Sequence, residues 1–344
     1  MELTFTPYRI TCAHPFGISR STHEFYDIIY IYLERDGVIG RGEVAPSGRY
    51  GESFSDCIEI LNTFSSTLPD FEQLQEFENY YRPNSGGVSS LETGLSMALV
   101  DLLGHHRNQP VHEILGFGKV VTKPTSYTIA IGDLKLLKNK IQDANDYQIL
   151  KIKLGAGKDK EIIERVRQET DKLIRVDANE GWSLDEARDM CNWLEDKNVE
   201  FIEQPLKADE LPLMKELKHT SPIPLIADEN CLNADDIPQL TESFHGINIK
   251  LMKCGGCAEV PKMFKYANDS GLKVMLGCMV ESSVGITAMS QFASQADYLD
   301  LDGNLLINND PYDGVKVQNG IPILPNGNGF GLTLNSHGKK TGLK

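Results

Sequence analysis

The chain has 344 residues, 40% of them hydrophobic and 24% charged, a balance that suits a globular protein with a core large enough to fold without disulfides. Its 34 basic and 49 acidic residues leave a formal charge of −15. Such a surface repels phosphate backbones and anionic lipid, so nucleic acid and membrane partners are not expected, while a local site for an anionic small molecule stays open.

The opening residues MELTFTPYRI have neither the basic start nor the apolar run of a signal peptide, and no segment approaches the roughly 20 apolar residues of a membrane span. A cytoplasmic protein is expected. Residues 27–46, DIIYIYLERDGVIGRGEVAP, hold two strand-like runs around Asp36-Gly37, a hairpin dipeptide. Ser53 to Leu61 reads as a helix. A second helix over 89–106 is expected to open at Ser90, carries Leu95, Leu99 and Leu102 on one face, and stops at Asn108-Gln109-Pro110. Residues 1–122 therefore form an α+β module.

From 123 to 305 short apolar runs alternate with amphipathic helical segments. The runs are YTIAIG (127–132), ILKIKL (149–154), LIRVDAN (173–179), EFIEQP (200–205), PLIADE (224–229), GINIKL (246–251), LKVMLG (272–277) and DYLDLD (297–302). Eight strands alternating with helices predict an α/β fold, a (β/α) TIM-type barrel. Residues 306–344 are too few for a further domain and are expected to return to the N-terminal module, completing it as a capping domain. Seven cysteines without a compact framework read as free thiols in a reducing compartment.

Polar residues recur at the C-terminal ends of successive strands: Lys153, Asp177, Glu203, Asp228 and Lys250, separated by 24, 26, 25 and 22 residues, one β/α unit each. Barrel active sites are built at that face. Strand alternation puts Lys151 and Lys153 on one face and Ile152 and Leu154 on the other. Three carboxylates on neighbouring strands repel one another unless a cation sits among them, and all-oxygen ligation suits Mg²⁺. Two lysines facing each other across the mouth should depress each other's pKa, as a base requires. One such acid alone would more often cap a helix; five in register point to a site.

KIKLG (151–155), VDANEGW (176–182), IEQP (202–205), ADEN (227–230), NIKLMKCGG (248–256) and GNGFGLTL (327–334) resemble the motifs of the enolase superfamily, muconate-lactonizing branch, over essentially the whole chain. The resemblance implies one Mg²⁺ held by Asp177, Glu203 and Asp228, an acid/base pair of Lys153 and Lys250, and Lys151 on the substrate carboxylate. This superfamily's use of a Lys or His base with Mg²⁺ stabilising an ene-diolate is a known pattern. Asp300 and Asp302 in DLDGN resemble the paired aspartates with which dipeptide epimerases of the branch hold a substrate ammonium. A dipeptide epimerase acting on an Ala-X substrate is therefore expected. A muconate cycloisomerase or o-succinylbenzoate synthase and a ligand-binding barrel without turnover are the alternatives.

Thr128 and Cys278 are expected in the pocket wall and Glu281 behind it. Cys254 and Cys257 have redox spacing without a second pair, and His105 and His106 read as structural. Arg20, in the capping loop, lies where some relatives contact a distal glutamate carboxylate. Pointing inward it would favour Ala-Glu; pointing to solvent it would leave Phe16, Ile18 and Tyr50 to select apolar or small second residues. A homo-oligomer is compatible with everything above.

Overall fold

The computed structural model describes residues 1–344. It begins with an antiparallel meander, β1 (Glu2–Gly17), β2 (Thr22–Arg35) and β3 (Val38–Val44), ordered β1-β2-β3. Asp36 and Gly37 both have positive φ, 53° and 76°, the tight-turn geometry that the Asp-Gly pair predicts. The helix Ser89–Arg107 lies on this sheet. Close approach demands glycine: a Cβ on Gly42 would stand 1.9 Å from the carbonyl oxygen of Gly94. The helix does not open at Ser90. It starts at Ser89 behind Val88, which offers no side-chain cap, and the Ser90 N–H donates to Glu52 Oε1 at 3.1 Å. A carboxylate distant in sequence has taken the role that a local hydroxyl usually plays. At the other end Asn108 adopts φ 53°, a left-handed cap just before Pro110.

Eight parallel strands follow: β4 (Ser126–Ile129), β5 (Ile149–Lys153), β6 (Leu173–Asp177), β7 (Val199–Glu203), β8 (Leu225–Ala227), β9 (Gly246–Ile249), β10 (Lys273–Leu276) and β11 (Tyr298–Leu299). They are hydrogen-bonded in sequence order, and a parallel bridge from Thr125 to Leu299 joins the last to the first. The sheet is thus a barrel, as the alternation of elements predicts. Its inter-strand helices include Leu137–Asp143, Asp159–Glu169, Leu184–Leu194, Leu211–Thr220, Glu259–Asp269 and Ser283–Ser290. Even-numbered residues of β5 and β6, Leu150, Ile152, Ile174 and Val176, pack in the core shared with these helices. One layer beneath Asp177, Arg175 closes the barrel interior. It is paired with Glu200 at 2.7 Å, donates to Leu299 O at 2.6 Å, and lies against the rings of Phe201 and Tyr298.

The final segment is hydrogen-bonded to the meander and to the helix Ser89–Arg107. Asn308 N donates to Thr11 O at 3.0 Å, Tyr8 Oη to Asn309 O at 2.7 Å, and Phe330 N to Asp101 Oδ1 at 2.6 Å. Ile10, Ile28 and Tyr30 of the meander belong to the same continuous core as the barrel, so the cap is fixed over the C-terminal mouth. All seven cysteines are free thiols, Cys254 and Cys257 among them. No helix is long and apolar enough to cross a membrane.

Candidate active site

At the mouth lies a cavity of about 530 Å³ between barrel and cap. Thr128, Lys151, Lys153, Asp228, Lys250, Cys278, Asp300 and Asp302 line it from the barrel; Phe16, Ile18, Arg20 and Tyr50 line it from the cap. Asp177 and Glu203 stand just behind Lys151. Every residue expected at the site from the strand-end pattern is therefore brought together here.

Asp177 ends β6, Glu203 ends β7 and Asp228 follows β8, so the three carboxylates form a row across adjacent strands, all buried. Each is oriented by a donor behind it. Asn179 N donates to Asp177 Oδ1 at 2.9 Å, Asn248 Nδ2 to Glu203 Oε1 at 2.7 Å, and Lys253 Nζ to Asp228 Oδ1 at 2.6 Å. Asn179 and Gln204 hold non-glycine residues at positive φ, 44° and 36°, strain of the kind found where side chains must be aimed. Lys253 was not expected; it lies in NIKLMKCGG, but on the short helix after β9, where strand alternation gives no guidance.

Cations face the other side of the row. Lys153 Nζ is 2.6 Å from Asp177 Oδ2 and Lys250 Nζ is 2.8 Å from Asp228 Oδ2, so the two lysines attach to the two outer carboxylates. Lys151 Nζ is 3.0 Å from Asp177, 2.7 Å from Glu203 and 2.6 Å from Asp300. Its contact with Glu203 Oε2 lacks hydrogen-bond alignment, which leaves that buried oxygen without a donor. Burial, then the charges of Asp177 and Asp228, push Glu203 up to about 8. A row of three buried carboxylates whose central member keeps an oxygen without a donor is one that a hard divalent cation fits. No three acidic side chains are gathered into a ready-made cage, because the Lys151 ammonium lies between two of them; an added ion would compete with it for the same carboxylates.

For Lys250 the expected depression by a neighbouring lysine is present but does not prevail. Burial lowers Lys250 and Lys151 opposes it too, but Asp228 and Glu203 outweigh both and hold it well above its ordinary value. Lys151 is likewise held high, burial being overcome by Asp300, Glu203 and Asp177. Opposite charges within ion-pair distance dominate the like charge across the mouth.

Asp300 and Asp302 follow β11 and turn toward β4. Asp300 accepts from Ser126 Oγ at 2.5 Å and Lys151 at 2.6 Å; Asp302 accepts from Thr128 N at 2.5 Å. Burial, then Asp300, push Asp302 up to about 7. Cys278 Sγ lies 3.3 Å from Asp300 O, and burial holds its thiol well above the usual range. Glu281 is buried behind the wall and accepts from Met279 N at 2.7 Å. Arg20 reaches the mouth but not as a free cation: it is bonded to Glu180 and Glu229.

Residues 1–116 match the family described as mandelate racemase / muconate lactonizing enzyme, N-terminal domain, and residues 135–338 match enolase C-terminal domain-like. An L-Ala-D/L-amino acid epimerase of Pedosphaera parvula is 36% identical over 330 residues, 93% of this chain and 95% of its own. An L-Ala-D/L-Glu epimerase of Bacteroides thetaiotaomicron is 37% identical over 335 residues, 96% of this chain and 88% of its own. The crystal structure of a dipeptide epimerase from Cytophaga hutchinsonii, complexed with Mg and the dipeptide D-Ala-L-Val, superposes with a TM-score of 0.89 at 26% identity, covering 98% of this chain and 97% of that one. With its capping meander, its eight-stranded barrel and its row of strand-end carboxylates flanked by lysines, the chain belongs to the enolase superfamily, in the mandelate racemase / muconate lactonizing enzyme family.

Proposed function

We propose that the protein is a Mg²⁺-dependent dipeptide epimerase that inverts the α-carbon of the C-terminal residue of an Ala-X dipeptide. The observation that carries this reading is the attachment of Lys153 and Lys250 to opposite ends of one carboxylate row, beside a buried aspartate pair. Asp177, Glu203 and Asp228 would hold the ion, which when bound supplies positive charge to a substrate carboxylate as it gains ene-diolate character. One lysine, in its neutral amine form, takes the α-proton as a base; the other, as an ammonium, delivers a proton to the opposite face, so the configuration inverts with no net change in composition. Which lysine acts first depends on the epimer that enters. Lys151 orients the carboxylate, and Asp300 and Asp302 meet the α-ammonium. Thr128 and Cys278 shape the wall between them.

The division into a capping domain (1–122), a barrel (123–305) and a returning segment (306–344) belongs to the same proposal. So does an intracellular setting, with cell-wall peptides as a source of substrate; seven unpaired thiols support the reducing compartment. The test is a panel of Ala-X dipeptides in D₂O with Mg²⁺, followed by mass spectrometry and optical rotation. One deuterium should enter the second residue as rotation changes, and N-acetylated dipeptides should react poorly. Equal turnover of free and acetylated substrates would remove the ammonium-binding role, and no exchange with any dipeptide would overturn the assignment.

A further inference from the structure

Two arginines stand at the capping end of the cavity: Arg20, from the turn between β1 and β2, and Arg49, from the segment after β3. Both meet the carboxylate of Glu180, three residues beyond Asp177. Arg49 forks onto it, Nε to Oε2 and Nη2 to Oε1, both at 2.7 Å. Arg20 Nη1 donates to Oε2 at 3.0 Å, and Ala208 N donates to Oε1 at 2.9 Å. Arg20 Nη2 donates to Glu229 Oε1 at 3.0 Å. The Glu180 side chain is only 8% exposed and its backbone is held at φ 64°, so the carboxylate is a built feature and not a solvated surface charge. Two guanidiniums thus face two carboxylates.

The rest of this end combines apolar wall residues, Phe16, Ile18, Tyr26, Met279, Val280 and Leu306, with Ser21, Ser47 and the acidic Asp27, none of which offers a cation. His23 packs beside Tyr26, ring centroids 5.2 Å apart. The three lysines of the floor are tied to the carboxylate row and to Asp300. A side-chain carboxylate entering here finds no guanidinium uncommitted. It must displace Glu180, leaving that group short of partners in a mostly buried place, or remain unpaired itself; an apolar side chain incurs neither penalty.

We propose that Glu180 is a specificity-determining residue: by neutralising Arg20 and Arg49 it directs the enzyme to dipeptides whose C-terminal residue is apolar, at the expense of Ala-Glu. The proposal rests on the dipeptide epimerase reading. Wild-type enzyme should favour Ala-Leu over Ala-Glu in kcat/KM by at least about tenfold, the size of one charge-assisted contact. Glu180→Gln keeps the shape of the side chain and an acceptor for Ala208 N but releases Arg49, while Arg20 keeps its bond to Glu229. It should raise Ala-Glu relative to Ala-Leu by roughly tenfold, and adding Arg49→Met should remove that gain.

Arg20→Met alone provides an arm that does not depend on the Glu180 variant folding well. It should leave the Ala-Glu to Ala-Leu ratio within about threefold, whereas a direct contact between Arg20 and substrate would make the ratio collapse. A wild-type preference for Ala-Glu, or a Glu180→Gln effect equal on both substrates, would overturn the role of Glu180 while leaving the epimerase standing. No exchange with either dipeptide would overturn the epimerase reading, and this proposal with it.

Discussion

Lys153 and Lys250 each hold a different carboxylate, and their separation across the row predicts that their loss is not equivalent. Lys153→Ala and Lys250→Ala should each abolish inversion, yet each variant should retain deuterium exchange with the one epimer whose α-proton faces the surviving lysine. Proton NMR in D₂O on separately supplied epimers reads this directly; inversion persisting near the wild-type rate in both variants would refute a two-base mechanism. For Asp300→Asn and Asp302→Asn, the lost contact with an ammonium is worth roughly 1.5–3 kcal/mol, so kcat/KM should fall by about ten- to a hundredfold per residue for substrates with a free amino terminus. The Asp300 change should be the more severe, because Asp300 also anchors Lys151 at 2.6 Å. Steady-state kinetics on free and acetylated dipeptides separates loss of the ammonium contact from general damage, which would lower both.

At the scale of elements, the capping helix Ser89–Arg107 and β3 meet through glycines. A methyl group on Gly42 would fall 1.9 Å from a backbone carbonyl, so Gly42→Ala can be accommodated only by moving the helix off the sheet. Overpacking of this kind costs about 1–3 kcal/mol, and the urea midpoint should shift down accordingly. An unchanged midpoint would show that this contact is looser than the geometry implies. The same helix shows what local sequence can and cannot indicate. Its apolar face, with Leu95, Leu99 and Leu102, is legible from spacing alone and does pack in the cap core. Its true start is not, because Glu52, 38 residues away along the chain, supplies the capping acceptor.

Across the whole molecule, several buried carboxylates keep their protons to unusually high pH. Burial first, then neighbouring charges where they occur, raise Glu43 to about 7, Glu203 to about 8 and Glu281 to about 8. In the unfolded chain these groups ionise near their ordinary values, so above about pH 5 the folded state binds more protons than the unfolded one and stability must fall as pH rises toward 8. Chelator-treated protein should therefore show a falling melting temperature over that window. Mg²⁺ favours the ionised form of Glu203, so the protection it gives should grow with pH, reaching about 2.7 kcal/mol when its concentration is a hundredfold above Kd. Because the barrel core is apolar and independent of the ion, chelation should abolish turnover while leaving a cooperative melt. Melting curves with EDTA or Mg²⁺ at several pH values test both statements; protection independent of pH would argue against Glu203 as a ligand.

The sequence by itself determined the barrel and the strand-end members of the candidate site, though not Lys253 or Glu180. One β/α unit between each of Lys153, Asp177, Glu203, Asp228 and Lys250 leaves few ways to close eight strands, and alternation within a strand forces Lys151 and Lys153 to the same side. Those are short-range rules of backbone geometry, readable one element at a time. Partnership is different. Arg20 meets Glu180 across 160 positions and Glu229 across 209, Asp300 meets Lys151 across 149, and Lys250 is charged or neutral according to which carboxylates surround it. A charged side chain's role is set by the sum of its neighbours in a low-dielectric interior, and those neighbours are assembled only when cap and barrel come together. Whether Arg20 greets a substrate or is already engaged was therefore decided by the tertiary structure, which places Glu180 between the two arginines.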